Sequence, residues 1–408
     1  MGSETRSLET RSPLKRSTEE KKEISREAAL RFVLLLGVVS LLADMTYEGA
    51  RSITGPFLGE LGASAAVVGL VAGFGELVGY GLRLVSGYIS DRTGRYWAVT
   101  FIGYVVNLLA VPLLALAGRW EIAAALMIAE RMGKAIRNPA RDAMLSHATK
   151  RMGRGWGFGL HEAMDQIGAI LGPTIVAAVL YFRGGYRFGF GVLLFPALLA
   201  LGVLFLARLL YPRPRDFELD PGKLETTGFG PRFWFYLAAV AFIAAGYVDF
   251  PLIAYHLKKV AIVKDDWIPM LYALAMGVDA LAALLFGRLF DKFGFTVLAL
   301  VTLVTSLFAP LVFFGNFHNA LLGMSLWGAG MGAQESIMRA AIAEMIPANR
   351  RGAAYGLFNT GYGVFWFLGS ALMGILYDSS LVSVVILSWA LQLISVPLLL
   401  IVKKVPRQ

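Results

Sequence analysis

The feature that most limits this fold is a succession of long, unbroken apolar runs, each near the length of a bilayer crossing, separated by short polar segments. A helix crosses the hydrocarbon with about 20 mainly apolar residues. Continuous runs favour helices over a barrel, whose strands alternate. Twelve runs can be drawn, at 29–51, 64–90, 96–117, 121–145, 155–182, 187–211, 232–257, 267–290, 295–315, 319–345, 352–377 and 381–402. Only 16% of the 408 residues are charged and 57% are hydrophobic, too few charges to coat a soluble surface. The net charge of +10 reads as orientation signals, because most basic residues flank apolar runs. No nucleic-acid partner is expected. The absence of cysteine excludes disulfides, Cys-ligated zinc and thiol catalysis.

Residues 1–28 are polar and read as a disordered cytoplasmic tail. The first run reads as a retained helix, not a cleaved signal. The polar, Pro- and Gly-containing stretch 212–231 reads as a linker between six-helix halves at 29–211 and 232–402, and 403–408 as a second tail. An even number of spans puts both termini on one side. That side carries Arg92, Arg95, Lys150, Arg151, Arg154, Arg213, Arg215, Lys223, Lys292, Arg350 and Arg351. Both termini are therefore expected in the cytoplasm, and the chain in the plasma (inner) membrane.

The halves repeat each other. Gly87-Tyr-Ile-Ser-Asp91-Arg92-Thr-Gly94 returns as Gly287-Arg-Leu-Phe-Asp291-Lys292-Phe-Gly294, 200 residues later. Arg154-Gly155-Trp-Gly-Phe-Gly159-Leu160 returns as Arg351-Gly352-Ala-Ala-Tyr-Gly356-Leu357, 197 residues later. With Arg95, the first motif resembles the loop signature between the second and third helices of the major facilitator superfamily, Gly-x-x-x-Asp-Arg-x-Gly-Arg. Glu130-Arg131-Met-Gly-Lys134-Ala-Ile-Arg137-Asn-Pro-Ala-Arg141-Asp142 and Phe158-Gly-Leu-His161-Glu162-Ala-Met-Asp165 resemble a prokaryotic branch of that superfamily known mostly as exporters. The resemblance implies an all-α fold of twelve spans in two pseudo-symmetric halves, with a substrate site between them near the midplane. It also implies a latch. Gly87 lets helices approach, Asp91 can face a helix N-terminus of the other half, and Arg92 and Arg95 supply charge at the interface. Gly168-Ala-Ile-Leu-Gly172-Pro173 resembles the start of an exporter motif, although Thr174-Ile-Val follows where glycines are usual. A small-residue packing face explains it equally well.

An ionisable side chain within a span faces a partner or a watery cavity. Asp44 and Glu48 lie one turn apart on the first helix, and Asp249 stands at comparable depth on its repeat mate, with no base evident beside them. Acids so placed can carry protons, unless hydrogen bonds from Tyr47, Thr46 or the backbone hold them. Glu76 and Arg83 share a stripe of the second helix, and Asp279 lies near mid-membrane on the eighth. Glu130, Lys134, Arg137 and Arg141 share a stripe of the fourth, beside Arg131. His161 and Asp165, with Glu162 adjacent, and Glu335 with Arg339 lie on the fifth and tenth. Ion pairs among the second, fourth, fifth and tenth helices are expected to close the cytoplasmic mouth. His161 as a proton relay is the sharper alternative. Tyr362 is the best aromatic candidate for a cavity lining.

These features favour a secondary active transporter working by alternating access, with proton-coupled export of a small amphipathic or charged organic compound as the leading reading. Proton-coupled or facilitated uptake of an organic anion or other nutrient is the alternative. A membrane-embedded lipid-modifying enzyme ranks below both, since no HExxH, nucleophile–His–Asp set or phosphate-binding glycine loop is present. No cofactor, metal or catalytic residue is expected. The expected partners are the lipid bilayer, a small-molecule substrate and protons, and the expected state is a monomer.

Overall fold

A chain crossing a medium without water must satisfy its own backbone, and here it does so with helices. The computed structural model describes residues 26–149, 154–212, 228–347 and 350–405. Among them the chain forms twelve helical spans and no strand. The first six are α1 (Arg26–Glu60), α2 (Ala65–Thr93), α3 (Tyr96–Leu116), α4 (Trp120–Thr149), α5 (Arg154–Tyr181) and α6 (Gly185–Leu210). The second six are α7 (Pro231–Lys259), α8 (Trp267–Phe293), α9 (Phe295–Phe314), α10 (Phe317–Met345), α11 (Arg351–Ser379) and α12 (Leu381–Lys404). Ten are long and apolar enough to cross a membrane by length and composition. The other two, α4 and α10, occupy the same place in each half and carry many of the polar residues. Most of the expected linker and of the first expected tail, and half of the second, lie outside the described residues.

Two apolar cores form, one from residues of α1–α6 and one from α7–α12 joined by Ala65 and Ala169. Within the halves, α1 packs on α5 and α3 on α4, while α8 packs on α10 and α7 on α12. Between the halves, α2 lies along α11, α5 meets α8, and α1 meets the second segment of α7 (Phe250–Lys259).

The repeated loop signature ends each time on a glycine that only an achiral residue fills easily. Gly94 has φ 61° and Gly294 φ 60°, and each donates its N–H back into the helix it ends, to the Ser90 and Phe290 carbonyls. Gly168 and Gly172 serve packing. A Cβ on either would collide with the α1 backbone, at the Leu41 and Met45 carbonyls.

Two elements depart from the sequence expectation. Expected to end at Arg51, α1 runs on to Glu60, with Pro56 inside the helix. The α7 helix breaks between Gly246 and Phe250. Side chains from two neighbours serve the carbonyls that the break frees. Ser388 of α12 donates to the Gly246 carbonyl at 2.6 Å, and Trp327 of α10 donates to the Val248 carbonyl at 2.9 Å. Tyr247 donates in return to the Trp327 carbonyl.

Candidate functional site

The longer α1 changes the electrostatics of the bundle centre. Arg51, carried inside the helix, reaches Asp249 across the boundary between halves at 3.0 Å and Glu76 of α2 at 3.6 Å. The expectation that no base stands beside Asp44, Glu48 and Asp249 is thus corrected. Arg51 was missed because Arg-Ser-Ile-Thr-Gly-Pro reads as a helix end, whereas Pro56 is tolerated within the span. A second cation comes from α4, where Lys134 lies 3.7 Å from Glu48.

Asp249 occupies the N-cap of the second α7 segment but makes no capping bond. Its side chain is 2% exposed. One carboxylate oxygen accepts from Arg51 and the other from Trp366 Nε1 of α11 at 3.1 Å. The charge ladder continues away from it. Glu76 also meets Arg131 at 3.5 Å, Arg131 meets Glu130 at 3.4 Å, and Asn107 of α3 donates to a Glu130 carboxylate oxygen at 2.8 Å. Glu48 accepts from Tyr272 of α8 at 2.5 Å, a second contact across the halves. Among the described residues Asp44 has no ion pair within 4.0 Å; it accepts from Tyr47 at 2.5 Å, the arrangement named as the hydrogen-bonded alternative. Thr46 bonds to the Leu42 carbonyl instead. A cavity of about 50 Å³, room for a few waters, is lined by Arg51, Glu130, Arg131, Asp249 and Tyr47 among others.

The α4 stripe divides by partner. Arg137 is fully buried, with its guanidinium over the Tyr104 ring at 4.2 Å and, among the described residues, no hydrogen bond on any of its three nitrogens. Arg141 bonds to Ser40 of α1 at 2.8 Å and to its neighbour Asp142 at 2.9 Å. Ser40 in turn lies 3.2 Å from His161 Nε2, which is 3.7 Å from Asp165. His161 and Asp165 therefore join α5 to α1 and α4, within one half.

Of the ion pairs expected among α2, α4, α5 and α10 to close the cytoplasmic mouth, Glu76–Arg131 joins α2 to α4, but among the described residues none within 4.0 Å reaches α10 from the other three in this conformation. Among the described residues no ion pair within 4.0 Å reaches Glu162, Glu335 or Arg339. Arg83 instead lies over the Tyr80 ring at 4.8 Å. Tyr362 donates to Gln334 at 2.9 Å and packs on Tyr80 of the other half, with ring centroids 5.3 Å apart. Asp279 is 2% exposed, and one of its oxygens has no hydrogen-bond partner among the described residues. Asp91 accepts from Tyr96 of its own half at 3.3 Å, and Arg92 donates to Tyr88 at 2.9 Å. Gly87 faces Pro139 of α4. Asp291 and Arg95 are exposed.

The two faces of the bundle differ accordingly. On the face away from the termini, α1 and α7 touch so closely that a Cβ on Gly55 would collide with the Pro251 carbonyl. There Asp378 of α11 accepts from the first backbone amides of α2, Ala65 and Ala66, at 3.3 and 3.0 Å. Among the described residues the first segment of α7 packs on the terminal face chiefly against α11 and α12, whereas its second segment meets α1. Glu335 and Arg339 are exposed there. The far face is closed and the terminal face is parted between α1 and α7.

Comparison with known proteins gives this architecture a family. The Major Facilitator Superfamily model matches residues 36–263 and 250–408. An uncharacterised protein of Mycobacterium tuberculosis is 42% identical over 384 residues, covering 92% of this chain and 94% of that protein. An uncharacterised MFS-type transporter of Methanocaldococcus jannaschii is 26% identical over 382 residues, 90% of this chain and 92% of its own. A shorter stretch of 126 residues, 31% of each chain, is 29% identical to the multidrug resistance protein MdtH of Proteus mirabilis. In fold, the chain is similar to a bacterial homologue of the lysosomal transporter Spinster in its inward-facing, unoccupied conformation. The TM-score is 0.70 at 15% identity, over 93% of this chain and 96% of that one. The chain belongs to the major facilitator superfamily and is a membrane transporter, not an enzyme.

Proposed function

We propose that this secondary transporter exports a small amphipathic or charged organic compound in exchange for protons, with both termini in the cytoplasm of a cell whose plasma membrane it spans. The observation that carries the reading is the placement of Glu48 and Asp249. Both are buried carboxylates, and each is held by a group of the opposite half, Tyr272 and Arg51 respectively. A proton on either acid competes with a contact that joins the halves, which is what coupling requires. Asp44, Glu76, His161 and Asp165 are the further candidates for proton or substrate contact, and Tyr362 for the cavity lining. The sequence likeness to MdtH, named a multidrug resistance protein, supports export. Basic residues gather at the terminal face, including Arg92, Arg95, Lys292, Arg350 and Lys404, and support cytoplasmic termini. The terminal opening is then the inward one. Asp91 latches that face when it closes.

The test uses purified protein in liposomes holding a pH-sensitive dye, with fluorescent organic cations as first probes. An imposed pH gradient is expected to move the probe against its own gradient while protons move the opposite way. Probe movement only down its own gradient, with no proton flux, would overturn the exchange reading in favour of facilitated diffusion.

A further inference from the structure

The two members of the Arg51–Asp249 pair stand in unequal surroundings. Arg51 has a second carboxylate in its own half, Glu76 at 3.6 Å. Among the described residues, the side-chain partner of Asp249 in its own half is the neutral Trp366 N–H. The other titratable groups near the pair are engaged already. Glu48 of α1 is held by Lys134 and Tyr272, and Arg131 of α4 by Glu76 and Glu130. Among the described residues, the ion pairs within the second half are Arg232–Glu344 and Lys258–Asp265, so neither supplies Asp249 with a cation. His256, farther along α7, is bound to Tyr377 at 2.9 Å.

Opening of the far face has to draw α1 away from α7. Arg51 then remains neutralised by Glu76, while Asp249 is left without a cation. A carboxylate so placed in a poorly hydrated bundle is neutralised by a proton or keeps the face shut. The small cavity touching both Arg51 and Asp249 gives water a place beside the carboxylate.

We infer that Asp249 is the gate's proton acceptor and Arg51 its displaceable counter-ion: as the far face opens, Asp249 gives up Arg51 and takes a proton from the far side, and on closure Arg51 returns and displaces that proton toward the terminal face. Glu76 is the resting partner that frees Arg51 to let go. The inference rests on the proton-exchange reading, and it assigns the exchange to one ion pair.

The experiment reads conformation, not transport. Spin labels are placed at Arg119→Cys and His318→Cys, exposed far-face positions in opposite halves of a chain that lacks cysteine. The ratio of open to closed far face in the wild type is expected to rise as pH falls, by about tenfold per pH unit at most for one proton. Asp249→Asn, a neutral isostere, is expected to hold the face largely open at every pH. Arg51→Lys keeps a cation and is expected to keep the pH response. A pH response persisting undiminished in Asp249→Asn overturns the inference, as does an Arg51→Lys variant that loses it while remaining folded by circular dichroism. The liposome measurement is independent. Proton-driven flux with a pH-insensitive far face would sink this inference and leave the exchange reading standing. A pH-sensitive gate without proton flux would do the reverse.

Discussion

Asn107 shows what a single buried polar group contributes here. Its side-chain amide donates to both the Glu130 carbonyl and the Glu130 carboxylate, from a position with no exposure. Asn107→Leu removes the donor and leaves the acceptors dry. A loss of about 1–3 kcal/mol is expected, seen as a lower melting temperature in detergent; an unchanged melting temperature would show that water or Arg131 takes over. The pairing of Lys134 with Glu48 can be isolated in the same way. Lys134→Met and Glu48→Gln should each be harmful, and together less harmful than their sum. Strict additivity would mean that the 3.7 Å approach carries no interaction. The acids were legible in the sequence, because a charge inside an apolar run stands out whatever the fold. Their partners were less so. Lys134 was visible on its stripe, but its target lies on another helix. Tyr272 and Asn107 carry no charge to mark them, and Arg51 lay where a glycine and a proline seemed to end the span.

At the scale of the element, the apolar runs fixed twelve helices because a bilayer permits few alternatives. What they could not show is where a helix breaks or overruns. The α7 break depends on Ser388 and Trp327, whose side chains meet the freed carbonyls only once α10 and α12 are in place. Helix contacts follow small residues. Gly172→Leu is expected to drive α5 off α1 and lower stability or yield strongly, since the clash is with backbone that cannot turn aside. Gly81→Ala, where nothing lies within 4 Å of the added carbon, should be neutral or slightly stabilising. Equal effects of the two would contradict the packing assigned to Gly172. Both helices that carry the repeated loop signature, α2 and α8, end on a glycine of positive φ, a detail that the motif spacing alone did not indicate. Asp91→Asn should leave the present conformation intact, because the hydrogen bond Asp91 accepts here comes from Tyr96 of its own half. It is expected to slow transport by weakening the terminal-face closure. A variant with wild-type flux would count against the latch.

For the whole molecule, two six-helix units meet along α2–α11 and α5–α8 and are pinned at the far face by Arg51–Asp249, Gly55–Pro251 and Asp378 on the α2 N-terminus. The internal repeat made the two units legible. Which face would be closed was not, because that depends on side chains from both units meeting in one of several arrangements. Ion pairs at Glu335 and Arg339 belong, on this account, to the opposite conformation, in which α4 and α10 approach. The two faces are expected to open in alternation about these contacts. The most direct measurement is a pair of spin-label distances taken on the same conformational equilibrium, one across the far face (Arg119→Cys with His318→Cys) and one across the terminal face (Arg208→Cys with Lys404→Cys). As pH is lowered, the far-face distance is predicted to lengthen while the terminal-face distance shortens, with the same midpoint. Distances that lengthen together, or a terminal-face distance that stays fixed while the far face opens, would contradict that alternation.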